Sequence, residues 1–422
     1  MALPRRLHFI GAGGAGMAPL ASLCALSGRV ITASDREENG KTRALQKLGA
    51  VFHAGHAADN LPDDCELVIY SSAVPADNPE MVKARKLGIK CINRGSALAE
   101  FSLDYKRVVA VSGAHGKSSI TAMISYILTV CNRAPGYMIG ADFNGFDSYS
   151  SGNGDIFVTE ADESDGTHTL LHPWCGVVPN YDPDHAWSVG GEDKLKENFR
   201  TFGSHCRNII SYDFPESSEF FAGHPSAEYL KSVSDDFTFA GFFGYEAANA
   251  RIAVKCCELL GCGKDEAVEA VKSFPGIARR MTRRVVTPEL IVIEDYAHHP
   301  TEVRNSINLL RHNYPEHHLR VLFQPHRYAR LEKFFEGFVT ELSKADSLLI
   351  APVFAAWSET GSVNSETLAA RCGALAVTGS WEEIALKSLE LPCGDSRPLL
   401  LAVLGAGDIN RVFPYLERAT VR

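Results

Sequence analysis

Short apolar runs rich in Val and Ile alternate along this chain with stretches of helical periodicity, from the first residues to the last. RLHFI (6–10), GRVITASD (28–35) and CELVIYSSAV (65–74) have the length and composition of buried strands, and MAPLASLCAL (17–26) that of a helix. A second series begins near Asp104. There KRVVAVS (106–112) predicts a strand, and Ile120, Met123, Ile124, Ile127 and Leu128 fall at i, i+3, i+4, i+7 and i+8, one face of a helix. DIFVTE (155–160) and CGVVPN (175–180) are further strands, and EAANARIAVKCCELLG (246–261) and KDEAVEAVKSF (264–274) further helices. A third series carries ELIVIEDY (289–296), HHLRVLFQ (317–324), SLLIAPVF (347–354) and LLLAVLGAG (399–407). The stretch 214–236, FPESSEFFAGHPSAEYLKSVSDD, lacks any period and is expected to be loop. Strand-then-helix alternation implies α/β architecture with mostly parallel sheets.

A chain of 422 residues exceeds what one hydrophobic core supports, so several domains are expected. The three series suggest 1–103, 104–285 and 286–422. Charge narrows the partners. A net charge of −9 argues against nonspecific nucleic-acid binding and leaves any anionic substrate to a local basic pocket. Eleven cysteines without a C-x-x-C pair or framework spacing fit thiols in a reducing compartment. The apolar run before the first glycines is too short for a signal peptide, and no uninterrupted apolar stretch of spanning length follows. A cytoplasmic protein without membrane insertion is expected.

Candidate chemistry sits where strands end. GAGGAG (11–16) satisfies G-x-G-x-x-G between a strand and a helix, with Asp35 closing the next strand; such loops bring backbone N–H groups and a helix N-terminus to a diphosphate. SGAHGKSS (112–119) keeps the phosphate-loop parts Gly113, Gly116, Lys117 and Ser118, although Val111 stands where the strict pattern has glycine. Lys117 is expected to face phosphates and to pack against little else. VTEADESDG (158–166) places Glu160, Asp162, Glu163 and Asp165 past a strand, and NYDPDHAW (180–187) offers Asn180, Asp184 and His185. Together these suit Mg²⁺ bridging ATP phosphates. EDYAHHPTE and FQPHRYAR supply Tyr296, His298, His299, His326, Arg327 and Arg330, a polar cluster whose arginines fit carboxylate or phosphate.

Eight segments in order, HFIGAGGAGM, SSAVPADNPE, SGAHGKSS, EADESD, NYDPDH, DYAHHPTEV, FQPHRYAR and GAGDI, resemble the Mur ligases along nearly the whole chain. The resemblance implies a Rossmann-like domain for a UDP-sugar, a central P-loop ATPase domain and a Rossmann-like C-terminal domain for an amino acid. It implies ATP-dependent joining of L-alanine to the lactyl carboxylate of UDP-N-acetylmuramate through an acyl phosphate, with ATP and Mg²⁺ required. A monomer or weak homodimer is expected. Carried over by motif, Gly11, Gly13, Gly14, Gly16, Met17, Asp35 and Ser72 would meet the UDP-sugar. Gly113, Ala114, His115, Gly116, Lys117, Ser118, Ser119, Asn249 and Arg280 would meet ATP. Ser118, Glu160 and His185 would ligate metal, with Lys117, Glu160, His185 and His298 catalytic. Tyr296, His298, His326, Arg327 and Arg330 would line the amino-acid side.

GYEAANA (244–250) departs from the family's pattern: Glu246 stands for a histidine and Ala247 for an asparagine expected near adenine, after a stretch shorter than usual. Three other readings compete: a recycling ligase that adds a murein tripeptide to the same sugar, a catalytically degenerate nucleotide-binding regulator, and an NAD-dependent oxidoreductase, which accounts only for the first hundred residues.

Overall fold

A computed structural model describes residues 3–356 and 360–419. The chain forms two compact units. One runs to Ser232 and takes in Asn249–Pro275; the other comprises Val233–Ala248 and the chain from Gly276 onward.

The first unit contains two sheets. The strands β1 (Arg6–Ile10), β2 (Val30–Asp35), β3 (Val51–Ala54), β4 (Leu67–Tyr70) and β5 (Lys90–Asn93) pair in the order β3-β2-β1-β4-β5, every pair parallel. From Leu7 to Ile10 β1 is buried on both faces, which is why RLHFI reads as a continuous apolar run and not as an alternation. The second sheet adds β6 (Arg107–Val111), β7 (Gly136–Met138), β8 (Tyr149–Ser150), β9 (Ile156–Glu160), β10 (Cys175–Val178), β11 (Asn208–Tyr212) and β12 (Ala227–Leu230), in the order β12-β11-β10-β6-β9-β7-β8. Only its β7–β8 edge pair is antiparallel. Thus β6 lies between β9 and β10, and the loops after these three strands emerge at one end of the sheet.

In the second unit β13 (Thr238–Phe239) and β14 (Phe242–Phe243) form a hairpin, with the Phe243 ring stacked 3.6 Å from His312. The third sheet joins β15 (Thr282–Val286), β16 (Leu290–Asp295), β17 (His318–Phe323), β18 (Ser347–Ile350), β19 (Leu375–Ala376) and β20 (Leu399–Leu404) in the order β15-β16-β20-β17-β18-β19. All its pairs are parallel except β15–β16. The strand β15 straddles the division expected between 285 and 286 and belongs to this last sheet.

The expected α/β class is therefore what the chain adopts. The expectation of loop over 214–236 is corrected: a short helix Ser217–Phe220 and the edge strand β12 lie within it. AEYL has no alternation and is half exposed, so its conformation comes from pairing with β11, from Ile209 opposite Ala227 onward, a partner that local pattern does not reveal. Among the described residues no helix is long and apolar enough to cross a membrane. All eleven cysteines are unpaired.

A buried polar network fastens the first sheet to the helix Pro79–Lys86. Glu80 is fully buried and accepts hydrogen bonds from Ser34 Oγ (2.6 Å), Asn60 Nδ2 (3.0 Å) and the Ala57 N–H (3.2 Å), with His8 Nε2 at 3.0 Å. Burial by itself pushes this carboxyl up, but the hydrogen bonds from His8, Ser34 and Asn60 win and hold it at about 2, against 4.5 for a free glutamate. A folded-state value below the unfolded one adds stability above about pH 4.5 that is lost as the pH falls through about 2. Glu80→Gln is expected to cost about 3 kcal/mol at neutral pH. Melting curves across a pH series check this: the gap to the unmodified chain should close between pH 4.5 and 2.

Candidate active site

The phosphate loop follows the central strand β6. Val111 is fully buried as the last residue of that strand, so the missing upstream glycine is strand and not loop. Gly113 and Gly116 have φ of 144° and 85°, conformations that disfavour a side chain. A Cβ on Gly113 would lie 2.9 Å from the Asn180 carbonyl oxygen, and one on Gly116 would lie 2.8 Å from Asn249 Oδ1. Glycine is thus required by crowding as well as by φ. The helix Lys117–Val130 starts immediately afterwards.

Asn180, past β10, clamps the loop from both sides, accepting from the His115 N–H and donating to the His115 carbonyl, each at 2.9 Å. His115 Nε2 approaches Asp182 at 3.4 Å, and Asn249 is buried against Gly116. Ala114 and Ser119 are half-buried in the same loop and first turn. Ser118 Oγ donates to Glu160 Oε2 (3.0 Å), whose other oxygen accepts from the Gly140 N–H (2.6 Å). Burial raises the Glu160 carboxyl, with Gly140, Lys117 and Ser118 pulling against it.

Lys117 corrects the expectation of a side chain that packs against little. Its side chain is 16% exposed, and Nζ donates to the Gly113 carbonyl (2.8 Å) and to both oxygens of Glu163 (3.0 and 2.8 Å). Burial would lower the pKa of the ammonium, but Glu163 and Asp162 outweigh it and keep the lysine charged. Burial pushes Glu163 up to about 7, with Lys117 pulling the other way. Sequence marked Glu163 only as one acid in a run, because its pairing with Lys117 links residues 46 positions apart. His185 ends the 3₁₀ turn Pro183–His185; its side chain lies outside the described residues.

The glycine loop after β1 is shaped by Asp35. Gly11 has φ of 80°, and its N–H and that of Ala12 donate to the Ser34 carbonyl at 2.9 and 3.0 Å. Asp35 Oδ2 accepts from the Gly13 N–H at 2.7 Å, holding an amide that the motif assigns to diphosphate. Gly14 accepts from the Met17 and Ala18 N–H groups, closing the turn into the helix Met17–Leu26. Met17 itself is buried at 2% exposure, so its side chain belongs to the core, whereas Ser72 is exposed beyond β4. An open cleft within this unit is lined by Gly16, Arg94, Gly140, Glu160 and Asp162, joining the end of the glycine loop to the acidic loop after β9.

In the second unit the third sheet gathers Tyr296, His298, His326 and Arg330. The Tyr296 ring lies beneath Arg279 and Arg280, with centroid distances of 4.8 and 5.2 Å. Arg280, expected with ATP, also pairs with Glu302 at 3.4 Å. The His298 N–H donates to Glu302 Oε2 (3.0 Å), and its ring is 5.3 Å from Tyr296 and 5.7 Å from His326. Arg330, 5% exposed, donates from Nη1 to His326 Nδ1 at 3.0 Å. A guanidinium cannot accept, so this bond fixes His326 as the neutral tautomer protonated on Nε2. Arg327 has φ of 69°, strained for a non-glycine residue, and its N–H bonds the Phe354 carbonyl at 2.8 Å. The two adjacent histidines divide their work: His299 is buried and caps the helix Pro300–Asn313 by accepting from the Thr301 N–H. Ala247 is fully buried, and burial with Asp295 nearby pushes Glu246 up to about 7.

The family model for the Mur ligase catalytic domain matches residues 6–106, and that for the Mur ligase glutamate ligase domain matches 279–396. A UDP-N-acetylmuramate–L-alanine ligase of Bifidobacterium longum subsp. infantis is 31% identical over 96% of this chain and 91% of its own length. The chain belongs to the Mur ligase family. Another relative with the same description, from Aquifex aeolicus, is 32% identical over 96% of both chains. Among solved structures, the UDP-N-acetylmuramate-alanine ligase of Thermotoga maritima superposes with a TM-score of 0.79 over 99% of each chain at 24% identity. A murein peptide ligase from Psychrobacter arcticus reaches 0.69 over 99% of this chain and 98% of its own, at 18% identity. These likenesses carry the three-domain Mur ligase fold, and with it ATP-dependent ligation as the family's chemistry.

Proposed function

We propose that this protein joins L-alanine to the lactyl carboxylate of UDP-N-acetylmuramate, with ATP cleaved to ADP and phosphate, in the synthesis of peptidoglycan precursors. The observation that carries the reading is the grouping of Lys117, Ser118 and Glu160 at the ends of β6 and β9 in a chain that matches L-alanine ligases nearly end to end. A carboxylate is a poor electrophile until its oxygen becomes a leaving group. In the reaction its oxygen attacks the γ-phosphorus of ATP, ADP departs, and the amine of L-alanine then attacks the acyl phosphate and expels phosphate.

The residues act on charge and position. Gly113 and Gly116 let loop amides approach the phosphates, and Lys117 exchanges part of its contact with Glu163 for them. Ser118 and Glu160 are hard oxygen donors 3.0 Å apart and suit Mg²⁺, with His185 as a further ligand. Bound there, the cation offsets phosphate charge. Asn249 supports the nucleotide beside Gly116, and Arg280 belongs to the same reading as an ATP residue. The glycine loop at 11–16 with Asp35 and Ser72 takes the UDP-sugar, and Tyr296, His298, His326, Arg327 and Arg330 take the amino acid. The segments 1–103, 104–285 and 286–422 are the corresponding domains. We place the reaction in the cytoplasm, in keeping with eleven unpaired cysteines, and as the work of a monomer or weak homodimer.

Phosphate release measured with ATP, Mg²⁺ and UDP-N-acetylmuramate tests this against L-alanine, glycine, L-serine and a murein tripeptide. Release is expected only when both the sugar and an amino acid are present, with L-alanine the best acceptor. Release with the tripeptide alone would replace this reading by the recycling ligase, and no release with any acceptor would favour a regulator.

A further inference from the structure

We propose that Arg94 takes the β-phosphate of the bound nucleotide sugar and that Asp165 positions its guanidinium for that contact; this rests on the function proposed above. Arg94 opens the helix Arg94–Ser102, whose N-cap Asn93 accepts from the Ser96 N–H at 2.8 Å. A cation in the first turn stands at the positive end of the helix dipole, where local stability favours an acid. Its position therefore calls for a role beyond the helix.

Packing indicates that role. The arginine stem passes directly over Gly16, where a Cβ would lie 3.0 Å from Arg94 Cδ and 3.3 Å from Nε. Gly16 immediately precedes the helix Met17–Leu26, at the end of the loop that offers its amides to a diphosphate. The guanidinium is held at its far side, Nη2 donating to Asp165 Oδ2 at 2.7 Å. Asp165 is anchored in turn, its other oxygen accepting from the Thr167 N–H at 2.9 Å. One carboxylate oxygen engages one of five N–H donors, so the fork retains capacity for a second anion.

Charge points the same way. Among the described residues lining this cleft, Arg94 is the one cation, set against Glu160 and Asp162. A nucleotide sugar brings two phosphates into this unit, and without Arg94 they would meet carboxylates uncompensated. The contact with Gly16 puts the guanidinium at the end of the glycine loop, the diphosphate end of the cleft.

Calorimetry with UMP, UDP and UDP-N-acetylmuramate tests the assignment on the full chain and on Arg94→Met, Arg94→Lys and Asp165→Asn. Arg94→Met is expected to weaken UDP and UDP-N-acetylmuramate by about 10- to 100-fold while leaving UMP unchanged. Arg94→Lys should recover part of the loss, and Asp165→Asn should fall between. In turnover the KM for the sugar should rise and that for ATP should not. Equal loss for UMP and UDP would show a merely structural arginine, and loss confined to UDP-N-acetylmuramate would assign it to the lactyl carboxylate; either overturns the proposal. If the unmodified chain binds UDP-N-acetylmuramate and Arg94→Met binds it equally, this inference alone falls. If the unmodified chain does not bind it, the underlying function falls first.

Discussion

Lys117→Ala is expected to lower phosphate release by about 10²- to 10³-fold, the range for removing one preorganised donor to developing charge. Stability should also respond, in a direction set by Glu163. With the ammonium gone, the Glu163 carboxyl loses the group that pulls its pKa down, and its folded value rises further above the 4.5 of a free glutamate. A raised folded value gives stability that is present below about pH 4.5 and lost as the pH rises through the folded pKa, which already stands at about 7 before the change. The variant should therefore melt close to the unmodified chain in mild acid and progressively lower above pH 7. Adding Glu163→Gln removes the buried acid, so the double variant should recover alkaline stability and remain inactive. Recovery of activity would mean that Lys117 serves only to neutralise Glu163 and that phosphates are held elsewhere.

Arg330→Lys is expected to reduce kcat/KM for L-alanine by about 10- to 150-fold, the loss of one charge-assisted hydrogen bond, with a smaller effect on ATP. An exposed arginine would give less than about 0.5 kcal/mol, and the burial of Arg330 at 5% exposure removes that alternative. Its Nη1 bond to His326 adds a second consequence. Lysine offers no planar fork that can hold the imidazole and a substrate carboxylate together, so the orientation of His326 should loosen as well. Steady-state kinetics with L-alanine varied and then ATP varied decide the matter. Equal small effects on both substrates would place Arg330 outside the acceptor pocket.

The order of strands and helices, the phosphate loop and the placement of candidate residues at strand ends follow from the sequence, because periodicity and glycine spacing express local constraints. RLHFI and KRVVAVS become β1 and β6 since their apolar runs suit strands covered on both faces, and Gly113 and Gly116 mark the loop because only glycine tolerates its φ values there. The eight family segments are local in the same sense.

Tertiary structure alone decided the pairings. AEYL is a strand because β11 lies beside it, and Lys117 is buried because Glu163, far along the chain, closes on it. Asp35 occupies the Gly13 amide, Asn180 clamps His115, His299 caps a helix while His298 joins the polar cluster, and Arg94 crosses Gly16. The reason is physical. Residue type and spacing specify what a segment prefers by itself, whereas the charge state and orientation of a buried side chain depend on partners that chain folding brings in from distant positions, at a desolvation cost that no local pattern records.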